Sequence, residues 1–242
     1  MRQTRIFVDQ ALAVGDVVTL PTGATRHITQ VLRLAANAPL ILFNGDGCDY
    51  PARLRTSHRD AAQVVIDAVT APEPAAPLAI QLALGVSKGE RMDYALQKAV
   101  ELGVTRLMPL FTERSQVRLD GERLARRLEH WRGVVIGACE QSGRRRLPQL
   151  DPALALESWL AQWTAGGYLL DPLATQALTA IPAPTGQITL LIGPEGGLSA
   201  RERQQAYQRG FQGVRLGPRI LRTETAPLAA IAVIQALWGD FG

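Results

Sequence analysis

Cysteine is scarce in this chain. Cys48 and Cys139 are the only two and stand far apart, which excludes a disulfide framework and a CxxC metal knuckle and leaves two free thiols as the expectation. His27, His58 and His130 are equally scattered, so no metal site is expected. No apolar run reaches the roughly 18 residues of a membrane span. Residues 1–8 lack the apolar core of a secretory signal. The expectation is a soluble, cytoplasmic protein with no membrane partner. Internal repeats and low-complexity tails are missing too. Neither GxxxxGK[ST] nor GxGxxG follows a strand-like segment, which removes the common phosphate-binding loops.

What remains is an ordinary globular balance, 47% apolar and 20% charged over 242 residues, enough for one large domain or two modest ones. The basic residues are unusual. Of 26, only Lys88 and Lys98 are lysine. Residues 118–146 hold Arg118, Arg123, Arg126, Arg127, Arg132, Arg144, Arg145 and Arg146 against Asp120, Glu122, Glu129 and Glu140. Guanidinium pairs phosphate in a planar fork and stacks on bases, so nucleic acid is one reading. Arginine-rich codon usage with a solvated helix is the other.

Residues 1–72 read as β-rich, with short runs at 5–8, 16–20, 39–44 and 63–67, turn signals between them, and one helical piece at 24–34. A small barrel fits. Pro72, Pro74 and Pro77 stiffen a linker over residues 73–77. Residues 78–242 then alternate, with strands expected at 78–86, 106–111, 168–170, 188–192 and 214–216. Helices are expected at 88–103, 120–139, 199–209 and 226–238. That order predicts an α/β domain on a mainly parallel sheet. The last helix is apolar nearly all round, which implies burial in the core or in a subunit interface.

Three loops of this second domain carry polar groups or glycine where an open sheet binds ligands. Gly193-Pro194-Glu195-Gly196-Gly197 follows the strand ending at Ile192, and Ser199 with Glu202 predicts a capping box behind it. A plain tight turn would need the same glycines. Leu216-Gly217-Pro218-Arg219-Ile220-Leu221-Arg222-Thr223-Glu224-Thr225-Ala226 joins a strand to the last helix, with Thr225 a candidate cap and Pro227 in the first turn. An Arg–Glu pair holding the loop is the plainer reading. Glu140-Gln141-Ser142-Gly143-Arg144-Arg145-Arg146 ends the basic helix, as a phosphate cradle or a solvated cap.

Together these segments closely resemble the ribosomal RNA small subunit methyltransferase E family. So do Gly85-Val86-Ser87-Lys88-Gly89-Glu90-Arg91-Met92-Asp93 and the following residues 97–104. Arg5-Ile6-Phe7-Val8 and residues 27–33 resemble its N-terminal PUA-like barrel, and residues 153–165 are the least diagnostic. The resemblance implies a SPOUT-type catalytic domain with a C-terminal trefoil knot, preceded by the small PUA-like β-barrel, in a homodimer. It implies S-adenosylmethionine as methyl donor and N3 of a uridine in 16S ribosomal RNA of the small subunit as acceptor. Carried onto this sequence, Leu170, Ile192, Gly193, Pro194, Gly196, Gly197, Leu216, Gly217, Ile220, Leu221 and Thr223 are expected to hold the cofactor. N3 is a poor nucleophile until its proton leaves. Arg222 is therefore the candidate for steadying charge on the base, and Glu195 and Glu224 are the candidate proton acceptors. Arg5, Arg33, Arg144, Arg145 and Arg146 are expected to hold RNA. The alternatives are another SPOUT enzyme acting on transfer RNA or a ribose hydroxyl, a non-catalytic assembly factor, and an unrelated nucleotide-binding enzyme using residues 193–197 as a phosphate nest.

Overall fold

Period-two alternation builds the first sheet. In a computed structural model, which describes residues 3–58 and 61–241, the first elements are β1 (Thr4–Phe7), β2 (Val17–Thr19) and a helical turn, α1 (Thr22–Arg26). The turn runs on into a π-helical turn, His27–Val31. Then come β3 (Pro39–Phe43), β4 (Tyr50–Ser57) and β5 (Ala62–Ile66). They form one five-stranded sheet in the order β1-β3-β4-β5-β2. Alternate residues of all five strands, among them Ile6, Val18, Leu40, Leu42, Leu54 and Val64, meet with Ile28 in a single core. β4 escaped the sequence reading because Pro51, Arg53 and Arg55 interleave its buried Tyr50, Ala52 and Leu54, hiding the alternation in a charged stretch.

Contacts divide the chain into two compact units. The first runs to Ala75 and also includes Cys139–Leu147; the second comprises Ala76–Ala138 and the chain from Pro148 onward.

The second unit holds β6 (Ala79–Gly85), α2 (Glu90–Glu101), β7 (Arg106–Phe111) and most of the long helix α3 (Gly121–Ser142). Next come β8 (Gln149–Leu150), β9 (Leu154–Ala155), α4 (Leu156–Gln162), β10 (Gly167–Leu170), a 3₁₀ turn Leu178–Ala180 and β11 (Gln187–Ile192). α5 (Ala200–Gln208), β12 (Phe211–Val214) and α6 (Thr225–Trp238) complete it. Its sheet runs β12-β10-β11-β6-β7-β8, with β9 also on β7, and every pairing is parallel. β11 is buried at five consecutive positions after Gln187, as a parallel strand covered on both faces should be.

α4 was not anticipated. It places Trp159 against Phe211, with ring centroids 5.8 Å apart, and stacks it on Trp163 at 4.7 Å. β12 lies earlier than the expected 214–216. It is an edge strand paired only with β10, so Gln212 and Gly213 are tolerated there and conceal it. Thr225 is the first residue of α6 and makes no cap; Glu224 occupies that position without a side-chain bond. The capping box of α5 is present as read, with Glu202 N donating to Ser199 Oγ at 3.1 Å and Ser199 N to Glu202 Oε2 at 2.8 Å.

The connection after β12 matters most for the site. β12 is the edge of the sheet, yet α6 packs against α2, the helix that follows the interior strand β6. Residues 215–224 therefore carry the chain back across the carboxyl ends of β10 and β11. Among the described residues no helix is long and apolar enough to cross a membrane.

Candidate functional site

The carboxyl ends of β10, β11 and β12 each feed a loop into one cavity of about 660 Å³, within the usual range for small-molecule sites. After β10 come Leu170, Asp171, Pro172 and Leu173. After β11 come Gly193, Pro194, Glu195, Gly196, Gly197 and Leu198. Leu216, Gly217, Arg219, Ile220, Leu221, Arg222, Thr223 and Glu224 come from the long connection. Every residue expected to hold a cofactor or act on a substrate base is on this wall, Ile192 included.

Close backbone approach explains part of the glycine. A Cβ on Gly85, the last residue of β6, would lie 2.5 Å from both Cδ and N of Pro194, so only glycine lets the β11 loop cross there. Gly197 takes φ +66° in the turn closed by its N–H donating to Pro194 O at 2.8 Å.

Side chains then fix the loop. Glu195 Oε1 accepts from Lys88 N at 3.0 Å and from Arg91 at 3.2 Å. Arg114 donates to Gly196 O at 2.9 Å, and Arg203 to Leu198 O at 3.3 Å. Thr223 Oγ1 donates to Gly193 O at 3.2 Å and lies 3.1 Å from Ser87 Oγ, tying the last loop to the β11 loop and to the segment after β6. Asp171 is buried, accepts from Leu173 N at 2.9 Å and Tyr207 OH at 3.3 Å, and faces Arg203 at 3.6 Å. Sequence reasoning passed over Asp171, Arg91, Arg114 and Arg203 as site residues. Asp171 carried a signal, since it directly follows a parallel strand, and Arg91 lay within the 85–93 motif without a role assigned to it.

The two glutamates differ. Burial pushes the Glu195 carboxyl up, but backbone N–H groups, including that of Lys88, and the Arg91 guanidinium outweigh it and hold the group below its ordinary range. Among the described residues Glu224 has no such partners, and its Oε2 is buried without a hydrogen bond, as is Glu195 Oε2. Buried carboxylate oxygens left without a donor fit a ligand that brings N–H or cationic groups.

The arginines expected to hold RNA part company in the first unit. Arg5 is nearly enclosed, with 7% of its side chain exposed. It meets Asp49 at 2.8 Å, donates to Arg144 O at 3.2 Å and lies over the Phe43 ring. Arg145 pairs with the same Asp49 at 3.1 Å and donates to Ala71 O at 2.9 Å. Arg146 is exposed and stands 4.0 Å from Glu73. Arg33 is exposed, in the left-handed region at φ 50°. Arg144 is half-buried.

A parallel sheet with a cavity at its strand ends is shared by many enzymes, and comparison with known proteins gives the class. A family model described as an RNA methyltransferase domain matches residues 74–235, and one for an RNA methyltransferase PUA domain matches residues 20–67. The chain is 32% identical over 245 aligned positions to the ribosomal RNA small subunit methyltransferase E of Buchnera aphidicola from Schizaphis graminum, covering 99% of this chain and 98% of that one. A crystal structure of a ribosomal RNA small subunit methyltransferase E from Neisseria gonorrhoeae bound to S-adenosyl methionine superposes with TM-score 0.94 at 44% identity, covering both chains completely. A Legionella pneumophila methyltransferase complexed with the same cofactor gives 0.95 at 37% identity, again over both whole chains. The chain belongs to the ribosomal RNA small subunit methyltransferase E family.

Proposed function

We infer that this chain transfers the methyl group of S-adenosylmethionine to N3 of a uridine in 16S ribosomal RNA. The observation that carries this reading is the single cavity where three strand-end loops meet, in a chain 44% identical to a cofactor-bound relative. The residues present fit such a cofactor. Leu170, Ile192, Leu216 and Leu221 offer apolar walls, and the backbone of residues 193–197 and 217 offers polar groups at close range. Buried, unpaired Glu195 and Glu224 oxygens suit a cationic ligand. When bound, the cofactor supplies an electrophilic methyl on a sulfonium that leaves as a neutral thioether.

The protein's task is then the uridine proton. Glu224, whose buried Oε2 has no hydrogen-bond partner among the described residues, accepts it, and Arg222 steadies the negative charge left on the base oxygens. Glu195, already committed to Lys88 N and Arg91, positions the glycine loop. Thr223 locks that loop to the long connection. In the first unit, Arg33 and Arg146 are the exposed arginines we assign to RNA phosphates, with Arg144 beside them, while Arg5 and Arg145 brace the unit through Asp49.

Three family properties complete the reading. The path from β12 back to α6 supports a C-terminal trefoil knot. A homodimer would cover the less buried face of α6, where Leu237 is 47% exposed. A ribosomal RNA substrate supports a cytoplasmic location. Mass mapping of 16S RNA from cells with and without the gene tests the reaction: one base-methylated uridine should vanish with the gene. Loss of a ribose methyl instead, or no change, overturns the assignment.

A further inference from the structure

Five arginines line the cavity, and they fall into two groups. Arg91, Arg114 and Arg203 are spent on the glycine loop, through Glu195, Gly196 O and Leu198 O. The side chains of Arg219 and Arg222 are exposed and make no hydrogen bond or ion pair among the described residues. Between these two stands Ile220, 86% exposed, and the loop after β10 adds Leu173, 77% exposed. Both belong to the cavity wall. Large aliphatic side chains that far out of the protein are poorly placed as walls for a ligand sunk in the cavity. They are well placed to meet something that arrives at its mouth.

We propose that Arg219, Ile220 and Leu173 form a clamp for the incoming nucleotide, the aliphatic pair packing on the target base and Arg219 holding a phosphate beside it. The argument for RNA as the occupant is charge. An apolar lip beside two open guanidiniums matches an unstacked base, with one guanidinium for its phosphate and one for the charge on its oxygens. A neutral protein surface would leave both guanidiniums without partners. Arg222, on the same connection, is the group that steadies the base, so Arg219 and Ile220 share one loop with the reacting groups.

This inference rests on the methyl-transfer reading, and its test separates the two. Full-length Ile220→Ser, Leu173→Ser and Arg219→Gln are compared with wild type. Readouts are cofactor affinity by calorimetry, methylation of small ribosomal subunits lacking the modification over a range of salt, and sedimentation. The substituted side chains are exposed, so thermal melting should be unchanged. The clamp predicts that kcat/KM for the RNA substrate falls about tenfold in the two serine variants while cofactor Kd stays within about twofold. In Arg219→Gln the salt slope should drop by about one. If cofactor affinity falls in step with activity, the lips cover the cofactor and the proposal is overturned. It is overturned equally by a change in sedimentation without an RNA effect, which makes the lips an interface between copies, and by unaltered RNA kinetics. Failure of wild type itself to bind S-adenosylmethionine would instead sink the underlying reading.

Discussion

Glu195 and Glu224 look interchangeable as text, yet their surroundings differ. A carboxylate held below its ordinary range by backbone N–H groups and Arg91 is a weak base, whereas Glu224 has a buried oxygen with nothing donating to it. Glu224→Gln should therefore slow single-turnover methylation by roughly 10²-fold or more with cofactor Kd nearly unchanged. Glu195→Gln should chiefly weaken cofactor binding by loosening the loop. Calorimetry alongside rapid-quench kinetics distinguishes them, and a reversed pattern would transfer the base role to Glu195. Gly85 makes a second residue-level case. Its missing Cβ leaves the space through which Pro194 passes, and ring and backbone atoms cannot yield as a flexible side chain can. Gly85→Ala should cost about 1–3 kcal/mol in denaturant unfolding and weaken cofactor uptake, because the strain falls on the loop that forms the cavity.

Helix ends hold larger pieces in place. The last turn of α3 and the residues after it belong to the first unit, where Phe7 N donates to Glu140 Oε1 at 3.0 Å. Burial pushes the Glu140 carboxyl above its ordinary value of 4.5, and the Phe7 N–H, His27 and Arg5 offset this only in part. The sign follows from the direction of that shift. Below the unfolded pKa the group is neutral in both states. As pH rises through the raised folded value, the unfolded chain ionises more readily and stability is lost. Glu140→Gln keeps an acceptor for Phe7 without a charge. Its unfolding midpoint should match wild type near about pH 4 and exceed it near about pH 7. Equal pH profiles for the two proteins would show that the ionised form is tolerated.

Across the whole molecule, the methyl donor should act as a stabilising ligand. Its proposed site draws on loops after three strands of the second unit's sheet and on α2, so binding resists separation of all of them. At about 100 times Kd the linkage amounts to about 2.7 kcal/mol, readable as a rise in Tm. A melting curve unmoved by the donor would contradict the assignment of the cavity. The same scale explains the distribution of arginine. The guanidiniums near Asp49, Glu195 and Asp171 are already paired, whereas those of Arg33, Arg219 and Arg222 are exposed and without a side-chain partner among the described residues.

What the chain wrote locally could be read locally. Glycines after apolar strands marked the loops at Gly193 and Gly217, and Ser199 with Glu202 announced the start of α5. The apolar run at β6 and the helical spacing of α2 needed no partner to be recognised, because each depends on residues within a few positions. β4, α4 and β12 were hidden because their pattern makes sense only against a neighbour: Pro51 and two arginines on an outward face, Trp159 on Phe211, Gly213 on a sheet edge. The site divides the same way. Residue types named its walls, but the order β12-β10-β11-β6 decided that Thr223 reaches Gly193 and that Glu195 meets Lys88 N. Folding likewise enclosed Arg5 beside Asp49. Charge and burial of that kind are set by which distant segments meet, and composition or spacing along the chain does not encode that meeting in any single stretch.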